Sequence, residues 1–253
     1  MGLGEDAPVR HVFRYLVDGD PAEGDLITLC DDDSHHLSRV VRRQVGDPVE
    51  VIAPAGDLWP CEVVAVGRPA TVRVVGPARP PPAACDVTLW VGLTEPGRLD
   101  LVAEKAAELG VRRLGVVVTG RAKRVPDADA WDRRAARMQR LAVSAARQSG
   151  RGMRPIQMGL VPLAHVIETT PSGQGIILDP RASTSLDDAL GTRAVGDAVT
   201  LLVGPDTGFA DGEADEAVAG GFTAVQMGAG MLRAETAAIT AAALTLGALG
   251  GLG

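Results

Sequence analysis

Lysine and aromatic side chains are scarce in this sequence of 253 residues. Lys105 and Lys123 are its only lysines, and phenylalanine, tryptophan and tyrosine together make up 3% of the chain. Valine, leucine, isoleucine and alanine must therefore fill the core. Almost every cation is an arginine, whose forked guanidinium suits contacts to phosphate. A chain of this length supports one large domain or two smaller ones, each with its own core.

Long apolar runs and metal-binding motifs are also missing. No apolar run reaches the roughly 20 residues that a membrane-spanning helix needs, so we expect no membrane partner. The N-terminal residues lack the cationic start and apolar stretch of a signal peptide. The three cysteines, Cys30, Cys61 and Cys85, show no CxxC spacing. We therefore expect reduced thiols, no metal site and a cytoplasmic location.

The charge is unevenly distributed along the chain. The net charge is −7, yet residues 112–154 hold twelve Arg or Lys against three Asp, a local net of +9. Residues 1–111 and 155–253 each carry −8. A concentrated arginine-rich segment indicates either an RNA-binding surface or a solvated helix face, and the composition alone favours neither.

A proline-rich stretch, "GPARPPPAAC" at residues 76–85, divides the chain. We predict a linker at 79–85 between an N-terminal domain, 1–78, and a C-terminal domain, 86–253. The N-terminal part has Val- and Ile-rich runs separated by Gly, Asp and Pro turns, with helical turns around "SHHLSRVVRR", which predicts a small β-barrel. These β-type runs lie at 11–17, 25–30, 47–53, 61–67 and 70–76.

Beyond the linker, apolar strand-like runs alternate with helical stretches. The runs are continuously apolar, as in a parallel sheet that is covered on both faces, so we predict an α/β domain. Ligands of such domains collect at the carboxyl ends of the strands. The predicted strands lie at 87–93, 114–119, 175–179, 199–204 and 223–227, and the predicted helices at 98–110, 128–150, 183–191, 210–221 and after Gly230.

Two glycine loops follow the last two predicted strands: "VGPDTGF" (203–209) and "MGAGML" (227–232). The second is not a Rossmann fingerprint, because Arg233 stands where the third glycine belongs and the loop opens the last helix. No P-loop motif is present either. Together the loops could cradle a cofactor through backbone groups, although any single glycine there could simply make a tight turn.

Four motifs, of which the last is a pair, follow one another along the chain: "HHLSRVVRRQVGD", "EKAAELGV", "RMQRLAVSAARQSGR", and "GPDTGF" with "MGAGMLRAETAA". In this order they resemble the motifs of the RsmE-type 16S ribosomal RNA uridine-N3 methyltransferases. "GPDTGF" and "MGAGMLRAETAA" are similar to that family's GPEGGF and LGxRILRxETA motifs. "HHLSRVVRRQVGD" (35–47) resembles its HHLxxVLRLxxGD element. "EKAAELGV" (104–111) and the helix "RMQRLAVSAARQSGR" (137–151) match its KATELGV and QSxR segments.

The resemblance implies a SPOUT methyltransferase whose C-terminal parallel-sheet domain ties a trefoil knot, an exception to unknotted chains. It implies a PUA-like barrel at the N-terminus, a homodimer, and S-adenosylmethionine bound by the knot loops. The substrate would be 16S rRNA in the small ribosomal subunit. The positions expected to bind the cofactor are Leu178, Val203, Gly204, Pro205, Gly208, Met227, Gly228 and Leu232.

Methylation of uracil N3 requires removal of a weakly acidic proton and alignment of nitrogen, methyl carbon and sulfur. Arg233 could stabilise the uracil oxygens as charge develops, and Glu235 or Asp206 could accept or relay the proton. Both acids could instead stabilise helix N-termini. The RNA-binding candidates are Arg42, Arg121, Gln148, Ser149 and Arg151, with further arginines on the long helix at Arg133, Arg134, Arg137 and Arg140.

Departures from the family motifs leave other functions open. Gly230 stands where the family usually has an arginine, Asp206 and Thr207 replace Glu and Gly, and Glu95 aligns with a frequent lysine. A SPOUT enzyme acting on another RNA, such as tRNA, is one alternative. A non-catalytic RNA-binding assembly factor is another, although the cofactor glycines Gly204, Gly208 and Gly228 are retained.

Overall fold

A computed structural model describes residues 12–54, 56–79, 85–122, 124–149 and 155–252. The chain divides into two compact units, residues 1–81 and 82–253. No helix in these described ranges is long and apolar enough to cross a membrane.

The first unit is built on a five-stranded sheet with the order β1-β3-β4-β5-β2. β1 pairs with β3 in parallel, and the other neighbours are antiparallel. Its core contains Tyr15, Val51, Val63 and Val72, together with Leu37 from a helical segment that lies between β2 and β3. The elements are β1 (Arg14–Leu16), β2 (Leu26–Thr28), α1 (Asp31–His35) continued by a π-helical turn (His36–Val40), β3 (Pro48–Ile52), β4 (Leu58–Ala65) and β5 (Thr71–Val74).

The second unit contains a six-stranded sheet in the order β11-β9-β10-β6-β7-β8, and every neighbouring pair is parallel. The predicted α/β class with a parallel sheet is thereby confirmed. The central strands are buried along their whole length, which is why they read as continuous apolar runs. The strands are β6 (Val87–Gly92), β7 (Arg113–Val118), β8 (Ile156–Pro162), β9 (Gly175–Leu178), β10 (Val199–Val203) and β11 (Thr223–Val225).

Helices cover both faces of this sheet. Alternate residues of each strand point to opposite faces. Leu201 therefore packs in the cluster with α2, α5 and α7, whereas Leu202 packs in the cluster with α4 and α6. The long helix α3 packs on α2 through alanines, including Ala107 and Ala142. The helices are α2 (Pro96–Leu109), α3 (Ala128–Ser149), α4 (Leu163–Thr169), α5 (Leu186–Leu190), α6 (Glu213–Ala219) and α7 (Ala234–Ala248).

Two elements of the second unit were not predicted. β8 is an edge strand whose residues are half-buried or exposed, so it lacks a continuous apolar run. α4 follows it directly and is only seven residues long. The last helix begins at Ala234, later than the apolar pattern from Leu232 suggested, because Arg233 has extended backbone and serves as the N-cap.

Candidate functional site

The strands β9, β10 and β11 end side by side at the carboxyl edge of the sheet. Leu178 is in register with Val203 on one side and with Val225 on the other. All three side chains are buried, and the loops that follow these residues begin next to one another at this edge. The sheet therefore brings the predicted cofactor residues Leu178 and Val203 together, in the place where parallel α/β sheets bind their ligands.

The loop after β10 crosses the end of β6 at very short range. A Cβ built on Gly92 would lie 2.2 Å from the backbone nitrogen of Pro205 and 2.7 Å from the carbonyl carbon of Gly204. Only glycine can occupy position 92 with this loop in place. The ring of Phe209 lies against Gly204, so the loop folds back on itself beside the strand ends.

The loop after β11 borders open space. Gly228 has φ +105°, and a Cβ there or at Gly230 would meet no described atom within 4 Å. Met231 and Leu232 are exposed, whereas Met227 packs against the core. This loop therefore has both the backbone freedom and the adjacent room to approach a bound molecule.

A polar cluster joins the two glycine loops. Thr94, just beyond β6, donates a hydrogen bond from Oγ1 to Asp206 at 2.5 Å, and Arg98 forms an ion pair with the same carboxylate. The backbone N–H of Ala234 donates to Asp206 at 3.5 Å, which places this acid at the start of α7. Glu235 lies in the first turn of α7, with an oxygen 3.7 Å from Arg98.

The surroundings of Asp206 favour its charged form. Burial raises the pKa of its carboxyl, but the hydrogen bonds from Thr94 and Ala234 and the charge of Arg98 outweigh that effect. The net result is a pKa below the usual value. Asp206 is therefore a weak base whose oxygens already accept hydrogen bonds from the protein.

The predicted catalytic residues occupy different surroundings. Asp206 and Glu235 lie in the polar cluster, and the side chain of Glu235 is only 12% exposed. The Oε2 atom of Glu235 is buried and has no hydrogen-bond donor in the described part of the chain. Arg233 is exposed, and no described carboxylate forms an ion pair with it.

The predicted RNA-binding residues fall in several places. Arg121 follows β7 and donates to the carbonyl of Thr207 at 3.1 Å and to Asp211 at 3.0 Å. It therefore contacts the loop after β10 as well as solvent. Gln148 and Ser149 are exposed at the end of α3, and Arg42 is exposed in the first unit. Arg151 lies outside the described residues.

The sequence motifs do not indicate Thr94 and Arg98, because both residues lie outside the loops after β10 and β11. Arg98 is the one cation between Arg79 and Lys105. It also falls just after a buried strand, where site residues of parallel sheets collect. That combination is the signal that could have identified it.

A separate cavity of about 270 Å³ lies at the opposite, amino edge of the sheet. Its wall includes Asp86, Thr88 and Thr200, and none of the predicted site residues lines it. In the described ranges no group of three or more His, Cys, Asp or Glu side chains could hold a metal ion.

Fold and site together define a two-unit protein whose α/β unit carries two glycine loops at the carboxyl edge of its parallel sheet. A family model described as an RNA methyltransferase domain matches residues 81–246. The chain therefore belongs to this RNA methyltransferase family. The match covers the whole parallel sheet, both glycine loops and nearly all of α7.

Individual relatives agree with the family. A protein of Synechocystis named Ribosomal RNA small subunit methyltransferase E is 27% identical over 236 residues, 91% of this chain and 76% of that protein. A Mycobacterium bovis protein of the same name is 29% identical over 242 residues, 93% of this chain and 90% of its own length. The predicted resemblance to RsmE-type enzymes is thereby confirmed.

A solved structure shows the same fold. The Ribosomal RNA small subunit methyltransferase E of Neisseria gonorrhoeae, bound to S-adenosyl methionine, superposes with a TM-score of 0.79 at 24% identity. The superposition covers 94% of this chain and 98% of that one.

Proposed function

We propose that this protein is an S-adenosylmethionine-dependent methyltransferase that methylates N3 of a uridine in 16S rRNA of the small ribosomal subunit. The observation that supports this most directly is the meeting of two glycine loops at the ends of β9, β10 and β11, inside the segment matched by the family model. The curated relatives are named as enzymes of the small-subunit rRNA. We infer a cytoplasmic location from that substrate.

The loops fit the cofactor. S-adenosylmethionine supplies an electrophilic methyl group on a sulfonium centre. The open space at Gly228 and Gly230 lies beside buried apolar strand ends, a setting suited to a ligand that is part apolar and part polar. The residues proposed to hold it are Leu178, Val203, Gly204, Pro205, Gly208, Met227, Gly228 and Leu232.

We also propose the fold details that the resemblance implied: a trefoil knot in the second unit, a PUA-like barrel in the first, and a homodimer. The close crossing of the loop after β10 over Gly92 supports a threaded arrangement. Met231, in the loop before α7, and Leu244 of α7 are 84% and 52% accessible, and these exposed apolar side chains support a further apolar contact, as a dimer would make.

For the chemistry, we propose that Glu235 accepts the N3 proton. Its Oε2 atom is buried without a described hydrogen-bond donor, so it has acceptor capacity to offer a substrate. Asp206 is less suited, because its oxygens are engaged and its pKa is lowered. We also propose that Arg233, exposed at the N-cap of α7, stabilises the uracil oxygens as negative charge develops.

We propose that RNA binds along the exposed face of α3. Arg133, Arg137 and Arg140 follow one another at helical spacing, and all three are exposed, whereas Arg134 is half-buried. Gln148 continues the stripe, and Ser149 is a further proposed RNA contact at the end of α3. We keep Arg42, Arg121 and Arg151 as further proposed RNA contacts.

The decisive experiment is transfer of a labelled methyl group from S-adenosylmethionine to small ribosomal subunits from a strain that lacks the enzyme, followed by mass spectrometry of the modified nucleotide. We expect N3-methyluridine in 16S rRNA. The Glu235→Gln variant should bind the cofactor normally and transfer methyl at least about 100-fold more slowly. Methylation of a different atom or of a different RNA would contradict the proposal.

One observation favours a second candidate, a related enzyme that acts on another RNA such as tRNA. Gly230 stands where RsmE-type enzymes usually have an arginine, and the space beside it is open. Transfer to tRNA but not to small subunits would establish this candidate. Failure to bind S-adenosylmethionine would instead indicate a non-catalytic RNA-binding factor.

A further inference from the structure

Arg98 lies close to carboxylates from three segments of the second unit. It forms an ion pair with Asp206 of the loop after β10 and is 3.7 Å from Glu235 in the first turn of α7. Glu95, just before α2, is 3.4 Å away. The side chain of Arg98 is 25% exposed, so its charge is partly withdrawn from water.

This arrangement connects parts of the chain that are far apart in sequence. Asp206 accepts hydrogen bonds from Thr94 and from the backbone of Ala234, while Arg98 approaches both Asp206 and Glu235. The segment after β6, the first glycine loop and the start of α7 therefore meet at the Asp206 carboxylate, which is paired with Arg98. The second glycine loop ends where α7 begins, so its far end is held by the same contacts.

The positive charge of Arg98 is what allows the two acids to share the site. Side chains of Asp206 and Glu235 are 33% and 12% exposed. A nearby cation offsets the repulsion between two partly buried carboxylates. When the cation is removed, that repulsion is no longer compensated. The N-terminal end of the α7 dipole also favours them, to a smaller extent.

We propose that Arg98 is a positioning residue for methyl transfer: through Asp206 it holds the loop after β10 against α7, and it thereby keeps both glycine loops and Glu235 in place for the cofactor. This inference rests on the function proposed above. Arg98 itself is not assigned any contact with the donor or the RNA.

A double-mutant cycle tests whether Arg98 acts through Asp206. Arg98→Met should weaken S-adenosylmethionine binding about tenfold or more by calorimetry, and Asp206→Asn should weaken it to a similar extent. The double variant should be no worse than Arg98→Met alone. Arg98→Lys should recover part of the affinity, because it keeps the charge but loses the fork.

The matched control is Lys105→Met, which removes a cation paired with Glu104 and Glu108 on the same helix. It should leave cofactor affinity and turnover unchanged. Wild-type affinity in Arg98→Met, or losses that multiply in the double variant, would overturn the inference. A general stability role would lower the melting temperature without changing the affinity of the folded protein, and would overturn it as well.

Hydrogen exchange without cofactor separates this inference from the proposed function. Amides of Gly204, of residues 206–209 and of Ala234 should exchange faster in Arg98→Met than in wild type or Lys105→Met, because the contact between loop and helix is lost. If the wild type does not bind S-adenosylmethionine, the proposed function fails, and the exchange result still decides the role of Arg98. Equal exchange in all three proteins would refute it.

Discussion

Neutralising the arginine stripe on α3 should reduce the salt dependence of RNA binding. The change is the triple variant Arg133→Gln, Arg137→Gln and Arg140→Gln. These residues lie on one exposed face and extend over about 10 Å of helix axis at 1.5 Å per residue. Neutral glutamines keep helix propensity but remove three cations that could displace counterions from phosphate.

The magnitude follows from counterion release. Each lost phosphate contact lowers the slope of log affinity against log salt by about 0.7 for single strands to about 0.9 for duplex. Arg133 and Arg140 alone would lower it by about 1.4 to 1.8, and a full contribution from Arg137, which is also paired with Asp100, would bring this to about 2 to 2.7. Between 50 and 200 mM salt, the wild type should therefore lose about 7- to 40-fold more affinity than the triple variant.

The assay is fluorescence anisotropy with a labelled fragment of small-subunit rRNA across that salt range. Cofactor affinity of the triple variant should match the wild type, since α3 lies outside the glycine loops. Lys105→Gln, which removes one cation from α2, is the control for net charge and should keep the wild-type slope. An unchanged slope in the triple variant would refute the proposed surface, and a parallel loss of cofactor binding would show that α3 acts through the fold.

Gly92→Ala should destabilise the protein by about 1–3 kcal/mol in urea unfolding, because its Cβ would overlap Pro205. Gly97→Ala, with nothing within 4 Å, should be neutral or slightly stabilising, and equal effects of the two would be contrary to the structure. The lowered pKa of Asp206 gives stability that is present above the unfolded pKa of about 3.9 and is lost as pH falls through the lower folded value. Asp206→Asn should therefore be less stable than wild type at pH 6, and the two proteins should converge as pH falls through the folded-state pKa of Asp206. Gly230→Arg should fold as stably as wild type, since the position is open and φ is not positive, and it should bind rRNA more tightly in the same anisotropy assay.

The strands of the second unit could be predicted because burial on both faces leaves a direct trace in the sequence. β6 and β10 are apolar at almost every position, and their predicted bounds differ from the observed ones by one residue. The edge strand β8 leaves no such trace, since it contains Gly159 and no fully buried residue. The hydrophobic pattern of a sequence thus indicates which residues are buried. It predicts a strand of this sheet only where both faces of the strand are buried.

The glycine loops could also be predicted, but their connections could not. Glycines between a strand and a helix are visible in sequence, and Gly228 does adopt the left-handed conformation that such a loop requires. The contacts of Asp206 with Thr94 and Ala234 join positions separated by 112 and 28 residues. Sequence spacing has no means of indicating those pairs, so Thr94 and the partners of Arg98 emerged only when the strands were placed in one sheet.

Internal ion pairs also limit what charge composition can predict about RNA. Four arginines of the basic segment pair with acids from outside it: Arg112 and Arg113 with Asp86, Arg121 with Asp211, and Arg137 with Asp100. Part of the local excess of positive charge therefore neutralises carboxylates of the same unit and is not available to RNA.

Arg133 and Arg140, by contrast, form no ion pair in the described part of the chain. Arg137 uses its Nε atom for Asp100, at 2.6 Å, and has only its remaining donors to offer phosphate. Single substitutions of Arg133 and Arg140 should thus each lower the slope of log affinity against log salt by nearly the full value for one phosphate contact, about 0.7 to 0.9. Arg137→Gln should lower this slope less. Equal effects at all three positions would show that RNA displaces Asp100 from Arg137.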